Sequence, residues 1–275
     1  MPAQESLAPW RPDEVDPVAR GDGRVELLAE LIAAAGSVVA LTGAGISVPS
    51  GIPDFRTPGT GLWERVDPME VAHIDAFHAD PERFWCFYGD RFAMLESKRP
   101  NGAHRALVAL ERRGSLDAVI TQNVDRLHAR AGTRELVEVH GSIESAVCLD
   151  CCARQPLAEV RARLACDPQG IPRCDCGAPL KPGVVLFGEL LGESALRRAE
   201  ALAARADLLL CVGSSLEVWP VAGLPGITRA SGGRTAVVTQ GATPEDEHAA
   251  VKLEGDVVAE LEGVVAALDR LGSRR

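Results

Sequence analysis

Apolar runs and amphipathic segments alternate along most of the chain. Runs at 38–41, 208–212 and 235–238 are short and apolar, as expected of buried parallel strands. Apolar residues recur at helical spacing in four further segments, 25–32, 103–110, 195–203 and 257–271. This alternation predicts an α/β fold with a doubly wound, Rossmann-like parallel sheet.

The first apolar run ends in a glycine turn, Thr42-Gly43-Ala44-Gly45. Such a turn lets a phosphate approach the backbone, so a nucleotide is the first ligand to consider. As a hydride-transfer motif the turn is weak, because Val48 stands where that motif has its third glycine. Pro49 and Pro53 then prevent an ordinary helix and predict a loop with an acidic and a basic residue.

Polar residues also follow the other predicted strands. They are Gln122, Asn123 and Asp125 after 117–120, Gly213, Ser214 and Ser215 after 208–212, and Thr239, Gln240 and Gly241 after 235–238. Open α/β sheets bind ligands at the carboxyl ends of their strands. We therefore expect these residues to lie beside the first glycine turn and to form one cleft.

Four cysteines have the spacing of a metal site. Cys148 and Cys151 form one close pair, and Cys174 and Cys176 form another. Two thiolate pairs suit a tetrahedral zinc ion with no open position, so the metal would be structural. Cys152 and Cys166 are competing thiols, and unligated cysteines or a disulfide remain the alternatives.

Length and composition narrow the class of protein. A chain of 275 residues fits one large and one small domain, and its net charge of −10 gives no basic surface for nucleic acid. Aromatic residues are 4% of the chain and concentrate in 61–100, which predicts a small helical core. No leader or membrane-spanning run is evident, and the cysteine usage favours a reducing compartment, so we expect a cytoplasmic protein.

Ser50-Gly-Ile-Pro-Asp-Phe-Arg56 completes a motif that resembles the signature of the sirtuin family, G-A-G-x-S-x-x-S-G-I-P-D-F-R. Sirtuins are NAD-dependent protein lysine deacylases. Their Q-N-x-D, H-G, V-V-x-F-G-E and G-x-S-L-x-V-x-P motifs follow in order, so the resemblance covers 38–258.

The resemblance implies roles for individual residues. It implies that the NAD-binding residues are Gly43, Ala44, Gly45, Ser47, Pro53, Asp54, Phe55, Arg56, Trp63, Gln122, Asn123, Asp125, Gly213, Ser214, Ser215, Thr239, Gln240, Gly241, Asp256 and Val257. It implies that an extended acyl-lysine peptide pairs with Val184, Val185, Phe187, Gly188 and Glu189. It implies that His140, alone more often structural, is the general base and that Asn123 and Asp125 assist catalysis. Products would be free lysine, nicotinamide and O-acyl-ADP-ribose.

A Tyr-x-x-Arg pattern bears on the acyl group. Tyr88 and Arg91 share a helical face, and in a subclass of sirtuins that removes succinyl and malonyl groups the same pattern binds the acyl carboxylate. The alternative is that Tyr88 packs in the core and Arg91 pairs with an acid such as Glu96. Thr239 replaces the family's usual asparagine, and Gly192 replaces a usual proline.

The predicted organisation has an irregular arm (1–23), an NAD-binding domain (24–60, 101–145 and 181–275) and a small domain. The small domain combines a helical part (61–100) with a zinc module (146–180). Acylated lysine-containing proteins are the expected partners, without nucleic acid or membrane. At the level of sequence, a mono-ADP-ribosyltransferase, an NAD hydrolase and a non-catalytic NAD or acyl-lysine binding module remain as alternatives.

Overall fold

A computed structural model of the chain describes residues 23–54 and 67–273. Its nine strands in these ranges are β1 (Val38–Thr42), β2 (Ala118–Thr121), β3 (Leu136–Glu138), β4 (Gly141–Cys148), β5 (Arg154–Pro156), β6 (Leu180–Val184), β7 (Leu208–Val212), β8 (Arg234–Val238) and β9 (Val251–Leu253). Six of them form a sheet in the order β3-β2-β1-β7-β8-β9, and every neighbouring pair is parallel. The predicted doubly wound sheet is confirmed.

The strand order reverses between β1 and β7. The chain runs outward from β1 to β2 and β3, and later returns to β7 on the other side of β1. Such a switch point leaves a crevice at the carboxyl ends of the two strands, because the connections that follow them leave in opposite directions. The glycine turn after β1 and the turn at Gly213 after β7 both lie at this crevice.

The described ranges contain ten α-helices. They are α1 (Arg24–Ala34), α2 (Pro68–Val71), α3 (Ile74–Ala79), α4 (Pro81–Ser97), α5 (Gly102–Arg112), α6 (Leu127–Ala131), α7 (Leu157–Cys166), α8 (Glu193–Arg205), α9 (Leu224–Ala230) and α10 (Val257–Gly272). Val38 and Ala40 of β1 pack on the side of α1, α5 and α10, whereas Val39 and Leu41 pack on the side of α8 and α9. Strand residues alternate between the faces, so both faces of this strand are buried.

A second, antiparallel sheet has the order β5-β4-β6. Its core is aromatic: Phe77, Phe84, Trp85 and Phe92 from α3 and α4 are each 3% exposed or less. Nε1 of Trp85 donates to the carbonyl oxygen of Leu180 at 2.8 Å, which ties α4 to β6. The aromatic segment thus forms the core of a small helical unit, as its composition predicts. β4 and β6 extend beyond 146–180 at both ends, and the predicted domain boundaries stay a prediction.

Local differences from the sequence pattern have physical causes. A 3-10 helix, Ala44–Ser50, begins within the first glycine turn, and Pro49 inside it cannot donate in an α-helical ladder. The elements α6, β5 and β9 are too short to show a period. No helix in the described ranges is both long and apolar enough to cross a bilayer.

Candidate active site

The two glycine turns touch through their backbones. Gly45 N donates to Gly213 O at 2.8 Å, and Gly43 N donates to Val212 O at 3.0 Å. A Cβ on Gly43 would lie 2.8 Å from Cβ of Ser214, and Gly213 has φ +59°. Larger side chains at Gly43 and Gly45 would separate the turns, so these glycines are needed to bring the ends of β1 and β7 together.

Asn123 lies against the first of these turns. Its Nδ2 donates to Gly43 O at 2.9 Å and to Ser47 Oγ at 3.2 Å. Ser47 Oγ in turn donates to Asp125 Oδ2 at 2.7 Å, and the other carboxylate oxygen of Asp125 accepts from Leu127 N at 2.8 Å. Residues predicted from two separate motifs, Ser47 from one and Asn123 and Asp125 from the other, therefore form one hydrogen-bonded group.

Asp125 is 5% exposed. Burial raises the pKa of this carboxyl, while its bonds from Leu127 N and from Ser47 oppose the rise. A negative charge held there would favour a positive charge that develops nearby in a closed site.

Gln122 links the second glycine turn to His140. Its Nε2 donates to Ser214 Oγ at 2.8 Å, and its carbonyl oxygen lies 3.0 Å from Nδ1 of His140. A carbonyl oxygen can only accept, so Nδ1 of His140 carries the proton. When the ring is neutral, Nε2 is left with a free lone pair.

His140 is half-buried at the carboxyl end of β3. Burial lowers its pKa, and the bond to Gln122 O acts in the opposite direction. A neutral imidazole is therefore the dominant form near neutral pH, as a general base requires.

The segment that follows β6 continues from His140. Val185 N donates to His140 O at 2.8 Å, and Phe187 exchanges two backbone bonds with the turn before α3, to Ala72 O and from Ile74 N. Gly188 has φ +84°, and a Cβ there would lie 2.6 Å from Nε2 of His73. Glu189 accepts from Leu186 N at 2.8 Å. The predicted peptide-pairing residues thus form a fixed loop beside His140, and the regular strand ends at Val184.

The predicted cofactor-binding residues that follow β8 and that begin α10 also lie close together. Gln240 Nε2 donates to Gly255 O at 3.4 Å, next to Asp256, and Thr239 N donates to Leu253 O at 3.0 Å. The carboxylate of Asp256 caps α10 by accepting from Val258 N and Ala259 N. The turn at Gly241 and the start of α10 at Val257 are therefore neighbours at the end of β8 and β9.

Tyr88 and Arg91 interact on α4, but Tyr88 is also a core residue. Its ring stacks on Phe84 with centroids 4.5 Å apart, and it is 8% exposed. Burial raises the pKa of Tyr88 to about 12, whereas the charge of Arg91 lowers it. Burial lowers the pKa of Arg91, and Tyr88 opposes this. A half-buried guanidinium beside a phenol can bind an anion through charge-assisted hydrogen bonds.

The four predicted cysteine ligands converge at the edge of the small sheet. The sulfurs of Cys148, Cys151, Cys174 and Cys176 all lie within 4.8 Å of one another. Cys148 lies 3.5 Å from Cys176, and Cys151 lies 3.5 Å from Cys174. A tetrahedral zinc ion with Zn–S bonds of about 2.3 Å places its sulfurs roughly 3.8 Å apart, so the cluster fits zinc. Cys152 and Cys166 are not part of it.

Four further predicted cofactor-binding residues belong to the two turns or follow the first of them. Pro53 is exposed, Asp54 is half-buried, and Ala44 begins the 3-10 helix. Ser215 follows Ser214 at the second turn. Phe55, Arg56 and Trp63 lie outside the described residues.

Several residues behind the site do not belong to any of the predicted sets. Thr42, Thr121, His128 and Lys181 are buried and hydrogen-bonded to site residues or to their neighbours. Thr42 and Thr121 are the last residues of β1 and β2, where a strand-terminal hydroxyl before each motif could have indicated them. Lys181 carried no such signal.

The residue types at this sheet edge fit a dinucleotide. Two glycine turns offer backbone groups for phosphates, while the side chains of Gln122, Asn123, Ser214 and Asp256 offer partners for ribose and amide groups.

Comparisons with known proteins agree with this geometry. A model described as "Sir2 family" matches residues 43–220. A protein of Thermotoga maritima named "NAD-dependent protein deacetylase" is 46% identical over 222 residues, 80% of this chain and 88% of that protein. A protein of Archaeoglobus fulgidus named "NAD-dependent protein deacylase 1" is 42% identical over 231 residues, 84% of this chain and 92% of that one. A solved Sir2 structure with a deacetylated p53 peptide and 3′-O-acetyl-ADP-ribose has a TM-score of 0.84, 40% identity, and coverage of 88% and 98%.

Proposed function

The chain belongs to the Sir2 family, and we propose on that premise that it is an NAD-dependent protein lysine deacylase whose general base is His140. It removes an acyl group from a lysine side chain and yields free lysine, nicotinamide and O-acyl-ADP-ribose. NAD, when bound, supplies the ADP-ribosyl group that receives the acyl group as nicotinamide is released.

The orientation of His140 carries this proposal. With Nδ1 donating to Gln122 O at 3.0 Å, the free lone pair lies on Nε2, which accepts the proton of a hydroxyl held against it. Burial lowers the pKa of the ring, so the base is available near neutral pH. General bases of this kind contribute roughly 10²–10⁴-fold to a rate.

Asn123, Ser47 and Asp125 supply polar groups for a positive charge that develops as nicotinamide leaves. Their mutual bonds hold them before the reaction begins, so little reorganisation is needed at the transition state. Their burial also limits access of water, which would otherwise turn the reaction into plain NAD hydrolysis.

The loop at 184–189 is suited to binding acylated proteins as substrates. An extended peptide that pairs through its backbone gains affinity with little demand on its sequence. Phe187 is 39% exposed on this loop and offers an apolar surface beside the peptide path. The net charge of −10 also suits lysine-bearing partners.

A second activity, removal of succinyl or malonyl groups, is favoured by one observation. Arg91 is half-buried on α4 and its charge acts on Tyr88, so an acyl carboxylate placed beside them would gain charge-assisted hydrogen bonds from the guanidinium. The packing of Tyr88 against Phe84 agrees with the alternative that it is a core residue, and a tyrosine can do both.

Mass spectrometry of one reaction tests the whole proposal. The protein is incubated with NAD and a panel of acetyl-, propionyl-, succinyl- and malonyl-lysine peptides. We expect equal amounts of nicotinamide, O-acyl-ADP-ribose and deacylated peptide. NAD loss without peptide change would indicate a hydrolase, and peptide gaining ADP-ribose would indicate a transferase.

A further inference from the structure

A chain of buried hydrogen bonds runs behind the site, from α6 to His140. Nε2 of His128 lies 2.9 Å from Thr42 Oγ1, and Thr42 Oγ1 donates to Thr121 Oγ1 at 2.8 Å. Thr121 Oγ1 also accepts from Asn123 N at 3.1 Å. Thr42, Thr121 and His128 are each 2% exposed or less. Water cannot substitute for a bond that this chain loses.

This series of hydrogen bonds reaches His140 through one peptide group. The N–H of Asn123 belongs to the same planar peptide unit as the carbonyl of Gln122, and in a trans peptide the two groups point in opposite directions. Thr121 holds the N–H side at 3.1 Å, and Nδ1 of His140 holds the carbonyl side at 3.0 Å. The rotation of this peptide plane therefore decides whether Nδ1 of His140 keeps its acceptor.

The hydrogen-bond partners of its two ring nitrogens assign a tautomer to His128. Nδ1 is buried and has no hydrogen-bond partner among the described residues, so the single proton of the neutral ring lies on Nε2, which donates to Thr42 Oγ1. Burial lowers the pKa of His128 to about 3 and that of the adjacent His104 to about 4. Both rings, with centroids 4.8 Å apart, are therefore neutral when the enzyme works, and His128 acts as a fixed donor.

We propose that His128, Thr42 and Thr121 are positioning residues that fix the Gln122–Asn123 peptide plane and thereby hold His140 in the Nδ1–H tautomer. This inference rests on the proposed function, because it assigns a purpose to the orientation of the base. None of the three positioning residues needs to touch substrate. Their effect passes to Nε2 of His140 through the acceptor that they hold in place.

The test compares Thr121→Val with Thr228→Val as a matched control. Both threonines are buried, but the hydroxyl of Thr228 donates to Ala203 O, away from this chain of bonds. The first readout is the ¹⁵N spectrum of His140 in the free enzyme, which reports the tautomer without turnover. The second is kcat and KM on an acetyl-lysine peptide.

For Thr121→Val we expect the Nε2–H tautomer of His140 to become populated and kcat to fall by about tenfold, with KM for the peptide little changed, because Asn123 N and Thr42 Oγ1 both lose their buried acceptor. Thr228→Val should change neither readout. Thr121→Ser keeps a hydroxyl and should restore both.

Two variants at His128, one that removes its hydrogen bond to Thr42 and one that keeps a donor, give a second test that stands even where Thr121→Val does not fold. His128→Leu should produce a smaller shift of the same kind, and His128→Gln, which keeps a donor, should restore it. A wild-type tautomer in folded Thr121→Val and His128→Leu proteins would overturn the inference. An inactive wild-type enzyme would overturn only the proposed function, since the spectrum is measured without substrate.

Discussion

Nζ of Lys181 lies 2.9 Å from Oε2 of Glu189, and Lys181 is 5% exposed. The same ammonium donates to Val184 O at 2.6 Å and to Pro182 O at 3.1 Å. Glu189 also accepts from Leu186 N. One ion pair therefore fixes both ends of the loop at 184–189, and burial lowers the pKa of Lys181 against the opposing effect of Glu189.

Lys181→Met should raise KM for an acyl-lysine peptide by about tenfold, because the loop at 184–189 loses the hydrogen bonds from the ammonium and the carboxylate of Glu189 loses its ion-pair partner. The Kd for ADP-ribose, measured by calorimetry, should change by less than about threefold. Glu189→Gln and the double variant complete a cycle. Additive effects of the two single changes would show that the pair does not act as a unit.

His140→Ala should leave a folded protein that still binds NAD and has a kcat reduced by about 10²-fold or more, because the base is gone. His248→Ala, at an exposed histidine, is the matched control and should keep wild-type kcat. Retention of more than about a tenth of the activity by His140→Ala would exclude the general-base role.

Cys174→Ser should remove zinc and lower Tm by about 5–10 °C, because thiolate ligation contributes directly to folding of the small sheet. Cys166→Ser is the control, since Cys166 is exposed on α7 and outside the cluster. Zinc is measured by elemental analysis of protein purified without chelator. A full zinc content in Cys174→Ser would contradict the ligand set.

Arg91→Met should reduce kcat/KM for a succinyl-lysine peptide by about tenfold or more, because a charge-assisted bond to the acyl carboxylate is lost. Activity on the acetyl peptide should change much less. Equal losses on both peptides would mean that Arg91 supports the fold beside Tyr88 rather than the acyl group.

We expect the titration of Glu138 to lower the free energy of unfolding as pH rises. Burial raises its pKa to about 7 from an ordinary value of 4.5, with Arg126 opposing the rise. The folded state therefore binds the proton more tightly than the unfolded state. The stability that the protonated carboxyl contributes is fully present below the ordinary pKa and is lost as pH rises through about 7. Glu138→Gln should show a smaller decrease in Tm between about pH 5 and pH 8 than the wild type. Identical decreases would contradict the raised pKa.

The sequence by itself determined the class of fold and most of the chemistry. Apolar runs that end in glycine or amide motifs predicted the strands β1, β2, β7 and β8 and the edge at which ligands bind, because burial on both faces leaves only strand ends for polar residues. Spacing predicted the four cysteines. Each strand end and each cysteine pair is a local feature that a short sequence pattern carries.

Only the tertiary structure decided which of these segments contact one another. The Gly45–Gly213 contact, the Ser47–Asp125 bond and the Lys181–Glu189 pair depend on strand order and on turn geometry, which no local pattern encodes. The tautomer of His140 follows from a carbonyl 18 residues away. Thr42 and Thr121 became neighbours because parallel register places them side by side, and this register is set by packing of the whole sheet.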